Sequence, residues 1–250
     1  MDRIAIIRDE AQRLADVLAP TAPDARCPTC PDWSAADLLW HLTEVHFFWA
    51  AVLERNARTE SDISGVEQAK PRRPDAMAGL LDLRAQATSA LLEQLGRLGD
   101  DEPRWSWWPP DQTVGFTRRM QTYEATIHRV DAELTAAQPI GVIAPGVAAG
   151  AVDQAVDVMW GWMPEGATYE PRALVEFIAS DTEHRWLVDV GIAADQPCAV
   201  RATVGEPTAA VTAPVVNLAL WAWTRPGTVQ ISGQSEVVAA LNAVVGTGMP

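Results

Sequence analysis

Apolar side chains recur at three- and four-residue steps along four stretches in the first half of the chain. This spacing places the apolar side chains on one face of a helix. The predicted helices span residues 2–19, 35–56, 75–97 and 115–137. Polar loops that contain proline separate them, including a long one that runs through Pro74. Four amphipathic helices with such connections are typical of a four-helix bundle.

The second of these helices has a clear start signal. Ser34 precedes the segment AADLLWHL, and Asp37 lies three residues after Ser34. This arrangement resembles a capping box with aspartate in place of the usual glutamate. The helix is therefore predicted to begin directly after Ser34.

The pattern changes near residues 139–146, where we place a domain boundary. A helix is predicted over 147–162, and the segment GATYEP is predicted as a turn. Short β-rich runs follow: ALVEFIAS, RWLVDVG, CAVRATV, TAAVTA and TVQISG. Two more helices are predicted, one with Pro214 in its first turn and one with Ser235 as its cap. The fold is therefore predicted as α+β, with a helical domain over 1–140 and a smaller α+β domain over 147–250.

The charge and composition of the chain indicate which kinds of molecule it does not bind and where in the cell it works. The formal net charge of −14 would repel nucleic-acid backbones and anionic membranes, so we expect neither as a partner. No apolar run has the length of a membrane span, and the N-terminus lacks the pattern of a signal peptide. Three cysteines do not make a disulfide framework, and their odd number fits a reducing compartment. These features predict a cytoplasmic protein, either a monomer or a homodimer.

Glu124, His128 and His41 are the candidate metal ligands. Glu124 and His128 are four residues apart, so they share one face of the fourth helix, while His41 lies on the second helix. Facing helices of a bundle supply the ligands of a core metal. Two imidazoles and one carboxylate suit Zn²⁺, and also Ni²⁺ or Fe²⁺. Alternatively, Glu124 and His128 are solvated side chains and His41 is a partly buried histidine with a protein partner.

The other polar residues near these positions have less specific interpretations. His46 lies about 140° around the helix from His41 and should face elsewhere. Glu44, one turn from His41, is a rival ligand or a hydrogen-bond acceptor for a ligand. His184 is interpreted as a surface residue in a turn between strands. Trp105, Trp107 and Trp108 either line the pocket or pack between the domains.

Two segments of the bundle resemble a known family. CPDWSAADLLWHL (30–42) is similar to the opening motif of the mycothiol-dependent maleylpyruvate isomerase family, and YEATIHRVDAEL (123–134) is similar to its second motif. The segments AVDQAVDVM, IASDTEHRWLVDVG and LALWAWTRPGTVQISG resemble its C-terminal domain more loosely. The resemblance extends over nearly the whole chain.

The resemblance implies a fold, a ligand set and a cosubstrate. The fold would be a DinB-like four-helix bundle followed by a sterol-carrier-like α+β domain. A divalent metal would be held by His41, Glu124 and His128, and Arg225 would meet an anionic substrate. The cosubstrate would be a low-molecular-weight thiol, typically mycothiol. The implied reaction is thiol transfer, or cis–trans isomerisation of a small electrophile by addition of a thiolate, bond rotation and elimination.

Several alternatives stay open at this point. Arg225 is otherwise interpreted as a surface cation near a helix C-terminus, where the helix dipole favours positive charge. Cys27 and Cys30 form a Cys-x-x-Cys pair of which the family motif includes only Cys30; the pair could be redox-active, although it lacks the βαβ setting of a thioredoxin site. The alternative function is a non-catalytic DinB-like protein that binds a metal or small ligand, or a stress-response protein without thiol chemistry.

Overall fold

The computed structural model describes residues 1–247, and the chain divides into two compact units at Val142 and Ile143. The first unit contains five helices: α1 (Arg3–Leu18), α2 (Ala35–Glu54), α3 (Glu60–Gln68), α4 (Met77–Arg97) and α5 (Val114–Thr135). The pairs α1/α5 and α2/α4 make its most extensive helix contacts, and α2 also contacts α5. The four long helices therefore form the predicted bundle.

α5 has more buried residues than any other helix of this bundle. Of its 22 residues, 17 are buried, including polar ones such as Thr117, Gln121 and His128. Its start is fixed by Thr113, whose Oγ1 accepts a hydrogen bond from the backbone N–H of Phe116. A helix buried on most of its surface brings its polar side chains into the interior, where they need partners.

The second unit combines helices with one sheet. Its elements are α6 (Pro145–Gln154), a π-helical turn (Ala155–Met159), β1 (Tyr169–Ala179), β2 (Arg185–Ala193), β3 (Gln196–Arg201), β4 (Ala209–Ala213), α7 (Val215–Ala222), β5 (Gln230–Gly233) and α8 (Ser235–Val245). The strand order is β3-β2-β1-β4-β5, with β1 and β4 parallel and the other neighbours antiparallel. α7 contacts β1 and β4, whereas α8 contacts β1, β2 and β3.

Four local predictions were wrong. The polar loop through Pro74 contains α3, and β1 begins at Tyr169 inside the predicted turn because Tyr169 pairs with Ala193 of β2. Ser235 is the first residue of α8 rather than its cap, which is Gln234. Pro214 likewise precedes α7 as its N-cap rather than lying in its first turn, because its ψ of 144° is extended.

Within residues 1–247, no helix combines the length and the apolar composition that a membrane span requires.

Candidate metal centre

His41, Glu124 and His128 lie together in the helical bundle. α2 carries His41, and α5 carries the other two residues one turn apart. His41 Nε2 is 3.0 Å from Glu124 Oε1, and the same oxygen is 3.2 Å from His128 Nε2. One nitrogen or oxygen from each residue falls within 4.8 Å of the other two. The structure thus brings the three candidate ligands together, and their binding of a metal stays a prediction.

The electrostatics of the cluster are those of a tightly coupled acid–base group. Burial alone would raise the pKa of Glu124, but the charge of His128 and hydrogen bonds from His128 and His41 outweigh burial and lower it. Burial lowers the pKa of His128, whereas Glu124 and Asp131 raise it, and the net result is a pKa of about 9. Without a bound cation, Glu124 is therefore ionised and His128 carries a proton at neutral pH.

Asp131 fixes the orientation of His128. Its Oδ2 lies 2.9 Å from His128 Nδ1, one turn along α5, and both side chains are buried. With Nδ1 donating to this carboxylate, Nε2 is left facing Glu124 and His41. A carboxylate that holds the second ring nitrogen in this way is the usual partner of a metal-binding histidine.

Trp33 contacts the cluster directly, which the sequence interpretation missed. Its ring centroid lies 4.5 Å from that of His41 and 5.9 Å from that of His128. Trp33 belongs to the loop before α2, directly before the capping residue Ser34. The only sequence signal was its place in the segment CPDW that precedes the helix.

The three other tryptophans that we considered for the pocket make different contacts. Trp105 Nε1 donates to Glu60 Oε2 at 2.9 Å, and its ring stacks on Trp49 at 6.0 Å. Trp107 packs edge-to-face on Phe116 at 5.6 Å and on Trp108 at 6.2 Å. Their ring contacts are those of packing residues.

The remaining histidines and the rival carboxylate lie outside the cluster. His46 faces elsewhere, as predicted: it is fully buried, and its Nδ1 is 3.0 Å from Thr88 Oγ1. His184 is exposed in the turn between β1 and β2. Among the residues that the structure describes, Glu44 is not part of a group that could hold an ion.

Two arginines that lie within the family-like segments are buried. Arg225 is 4% exposed and donates from Nη1 to the Trp223 carbonyl oxygen at 2.7 Å, so the interpretation of Arg225 as a surface cation was wrong. Arg129 donates from Nε to Glu10 at 2.6 Å and from Nη1 to Glu133 at 2.7 Å. Arg129 therefore stabilises the bundle, while the role of Arg225 in substrate binding stays a prediction.

The second unit contains a cavity that the sequence did not predict. Its volume is about 710 Å³, and it lies between α8 and the sheet. Apolar side chains on its lining include Leu174, Ile192, Pro197 and Val237, and Arg172 and Glu236 add charge. This volume is in the range of small-molecule sites.

The fold and the cluster define a class: α+β proteins in which a four-helix bundle carries two histidines and a glutamate on facing helices. A family model described as the mycothiol maleylpyruvate isomerase N-terminal domain matches residues 4–133, and the chain belongs to this family. The sequence prediction of the family is thereby confirmed. The family is one of enzymes.

Two solved structures share the fold. They are the crystal structure of the mycothiol-dependent maleylpyruvate isomerase and that of a histidine-to-alanine mutant of the same enzyme. Each is 13% identical to this chain and covers 93% of both chains, with TM-scores of 0.60 and 0.59. The likeness extends beyond residue 133, and the predicted α+β fold class is confirmed. No curated protein matches the chain.

Proposed function

We propose that this chain is a metal-dependent enzyme that uses a low-molecular-weight thiol, mycothiol or a close analogue, as cosubstrate. The reaction is thiol transfer, or cis–trans isomerisation of a small electrophile. The convergence of His41, Glu124 and His128 is the observation that carries the proposal. Residues 1–140 form the metal-binding domain, and residues 147–250 form the second domain.

The cluster fits a four-coordinate cation. With metal–ligand bonds of about 2.0–2.1 Å, neighbouring ligands of a tetrahedral site lie roughly 3.3 Å apart. The separations from Glu124 Oε1 to His41 Nε2 and His128 Nε2 are 3.0 and 3.2 Å. Three protein ligands leave a fourth position for a small molecule, which is the arrangement of catalytic zinc sites. Zn²⁺ is our first candidate, and Ni²⁺ and Fe²⁺ suit the same ligands.

Each residue of the centre has a distinct task. A divalent cation held there supplies the positive charge that favours a thiolate over a thiol at neutral pH. Glu124 contributes the negative charge that balances the cation, and Asp131 keeps His128 Nε2 available by holding Nδ1. Trp33 covers one side of His41 and limits access of water to it. Arg225 is proposed, from the family motif, as the cation that pairs with a substrate carboxylate.

Metal content is the first test of this proposal. We expect about one equivalent of metal per chain, measured by inductively coupled plasma mass spectrometry on untagged protein. His41→Ala and Glu124→Ala should lose it while their circular dichroism spectra stay native. Matched controls are His184→Ala and Glu44→Ala, which remove the same chemical groups outside the cluster. A native chain that binds no Zn²⁺ or Ni²⁺ even after incubation contradicts the metalloenzyme proposal.

Turnover separates an enzyme from a binding protein. We expect the metal-loaded chain to transform a maleyl-type electrophile only when a thiol is present, and His41→Ala to reduce kcat at least 100-fold. Arg225→Gln should mainly raise KM for a carboxylate substrate and change KM less for its neutral ester. A protein that binds metal and thiol but returns every electrophile unchanged is instead a non-catalytic binding protein.

A further inference from the structure

Cys27 and Cys30 form a second cluster of reactive side chains in the first unit. Neither residue forms a disulfide, and the two residues are 1% and 7% exposed. Their sulfur atoms and a carboxylate oxygen of Asp131 all lie within 4.8 Å of one another. The established family and the proposed reaction do not assign a role to this pair.

Backbone hydrogen bonds hold the two ends of the loop 26–34, which carries the pair, against each other. The N–H of Cys27 donates to the carbonyl oxygen of Trp33 at 3.0 Å, and the N–H of Trp33 donates to that of Cys30 at 2.8 Å. Arg26 and Ser34 also form an isolated antiparallel bridge. A disulfide has a sulfur–sulfur bond of about 2.05 Å, so bond formation requires the sulfurs to approach by at most a few ångströms.

Cys27 and Cys198 differ in the direction in which the pKa of the thiol is shifted. A hydrogen bond from Cys30 lowers the pKa of Cys27 and burial opposes this, and the net result is a pKa of about 5. Cys27 is therefore a thiolate at neutral pH, and the thiolate is the nucleophilic form. Cys198, the only cysteine of the second unit, is about as buried as Cys27. Its pKa is raised, because burial is the only resolved influence on it. Cys198 therefore provides a comparison residue in the same chain whose pKa shifts in the opposite direction.

Asp131 joins the pair to the candidate metal centre. Thr29 Oγ1 donates to Asp131 Oδ1 at 2.6 Å, and Thr29 Oγ1 also lies 3.4 Å from Cys27 Sγ. Cys30 Sγ lies 4.0 Å from Asp131 Oδ2, the oxygen that holds His128 Nδ1 at 2.9 Å. A change at the two sulfurs therefore acts on the same carboxylate that orients His128.

We propose that Cys27 and Cys30 are a redox-active dithiol that a hydroperoxide oxidises to a disulfide, and that this oxidation weakens metal binding through Asp131. The first half of the proposal is independent of the proposed function, and the second half rests on it. The burial of both sulfurs favours a small first oxidant such as a hydroperoxide. The pair would then make the metal centre responsive to peroxide.

The chemistry balances as a two-electron oxidation. The Cys27 thiolate attacks one peroxide oxygen, a sulfur–oxygen bond forms, the oxygen–oxygen bond breaks, and hydroxide leaves and is protonated to water. The Cys30 sulfur then attacks Cys27, the sulfur–sulfur bond forms, and the sulfenic oxygen leaves as a second water that includes the Cys30 proton. Two thiols are oxidised and one hydrogen peroxide is reduced. Two equivalents of a low-molecular-weight thiol restore the dithiol by exchange.

The mass of the full chain tests the dithiol. After hydrogen peroxide at low excess, we expect a loss of about 2 Da that a reducing agent reverses, located by peptide mapping between Cys27 and Cys30. Cys198→Ser should behave like the native chain. Cys30→Ser should stop at a Cys27 sulfenic acid that dimedone traps, and Cys27→Ser should show neither product. A chain in which Cys27 and Cys30 stay reduced while Cys198 is oxidised overturns the proposal.

Metal titration tests the coupling. We expect the Kd for Zn²⁺ to increase about tenfold or more in the oxidised, desalted chain, and peroxide to leave the Kd of Cys27→Ser unchanged. A disulfide with an unchanged Kd overturns the coupling. If the reduced native chain binds no Zn²⁺, the proposed function fails, and the mass shift still decides the dithiol separately. Two bound Zn²⁺, one of them lost in Cys27→Ser, would overturn the redox assignment in favour of a thiolate metal site.

Discussion

Asp131 shows how one buried side chain can serve two clusters. It is fully buried, and its two oxygens contact different groups: Oδ1 accepts from Thr29, and Oδ2 lies beside His128 Nδ1 and Cys30 Sγ. A buried carboxylate requires such compensation because its desolvation is costly. The same contacts prevent Asp131 from moving without a change at both clusters.

His46 gives a prediction for the pH dependence of stability. It is fully buried, and burial lowers its pKa from the ordinary 6.5 to about 3. Below pH 6.5 the unfolded chain binds a proton at His46 that the folded chain does not, so the free energy of unfolding falls as the pH falls. His46 should therefore remove up to about 1.4 kcal/mol per pH unit between pH 6.5 and pH 3.

Urea unfolding of metal-free native chain and His46→Gln, from pH 7 to pH 4.5, checks this expectation. The variant should lose less stability over this range, because glutamine does not titrate. His184→Gln is the matched control, since His184 is exposed in a turn. Parallel curves for the native chain and His46→Gln would show that His46 does not cause the loss.

At the residue scale, sequence predicted the three candidate ligands, but it did not predict that Trp33 contacts them. Glu124 and His128 could be paired because a four-residue step fixes their relative direction on one helix. His41 joined them only through the facing-helix argument and the family motif. Trp33 could not be placed, because it lies in a loop whose path depends on the packing of Cys27 and Cys30 in the core of the bundle.

At the level of elements, the start of α2 is the feature that positions His41. Ser34 Oγ accepts from the N–H of Asp37 at 3.2 Å, and Asp37 Oδ2 accepts from the N–H of Ser34 at 2.8 Å, so the capping box is present as predicted. Arg73 adds an ion pair to Asp37 at 2.6 Å. His41 lies one turn after Asp37, so these contacts fix the part of the helix that presents it.

Ser34→Ala should lower the free energy of unfolding by about 1 kcal/mol, because the hydroxyl no longer accepts from the N–H of Asp37 at 3.2 Å or donates to Asp37 Oδ2 at 2.6 Å. Ser89→Ala is the matched control, since Ser89 is exposed within α4 and alanine favours a helix interior. Chemical unfolding followed by circular dichroism gives both values. Equal stabilities of the two variants would mean that the cap contributes nothing.

The long helices could be predicted because each repeats its apolar spacing over several turns, whereas the short elements could not. α3 has nine residues and buries only Ile63 and Val66, which is too little for a periodic pattern. Its start depends on a capping box between Thr59 and Asp62 that also occurs in ordinary turns. β1 extends back to Tyr169 because of pairing with β2, a long-range contact that local sequence does not encode.

At the scale of the whole molecule, each unit has its own core. The C-terminal end of the first unit is hydrogen-bonded to α5. Arg129 Nη1 donates to the Gly141 carbonyl oxygen at 3.2 Å, and Glu133 accepts from the Gly141 N–H at 2.8 Å. The contact division after Val142 falls within the stretch 139–146 in which the change of sequence pattern occurs. Composition and periodicity could indicate this change because the second unit replaces long helical repeats with short β-rich runs.

A fragment of residues 1–142 should fold cooperatively and bind one Zn²⁺, because all three candidate ligands and Asp131 lie within it. Circular dichroism, thermal unfolding and metal analysis of the fragment beside the full chain check this expectation. The same fragment with His128→Ala is the control for nonspecific binding. A fragment that is unfolded even with Zn²⁺ would contradict the assignment of an independent metal-binding domain.

His41 and Glu124 are 83 positions apart in sequence, yet their side-chain atoms lie 3.0 Å from each other. An ion shared between them would act as a reversible cross-link that closes a long loop and ties α2 to α5. A ligand that binds only the folded chain raises the free energy of unfolding by about 4.1 kcal/mol when its free concentration is 1,000 times its Kd. Degradation that depends on opening of the bundle would slow accordingly. The supply of free metal in the cell would then set the lifetime of the protein as well as its chemistry.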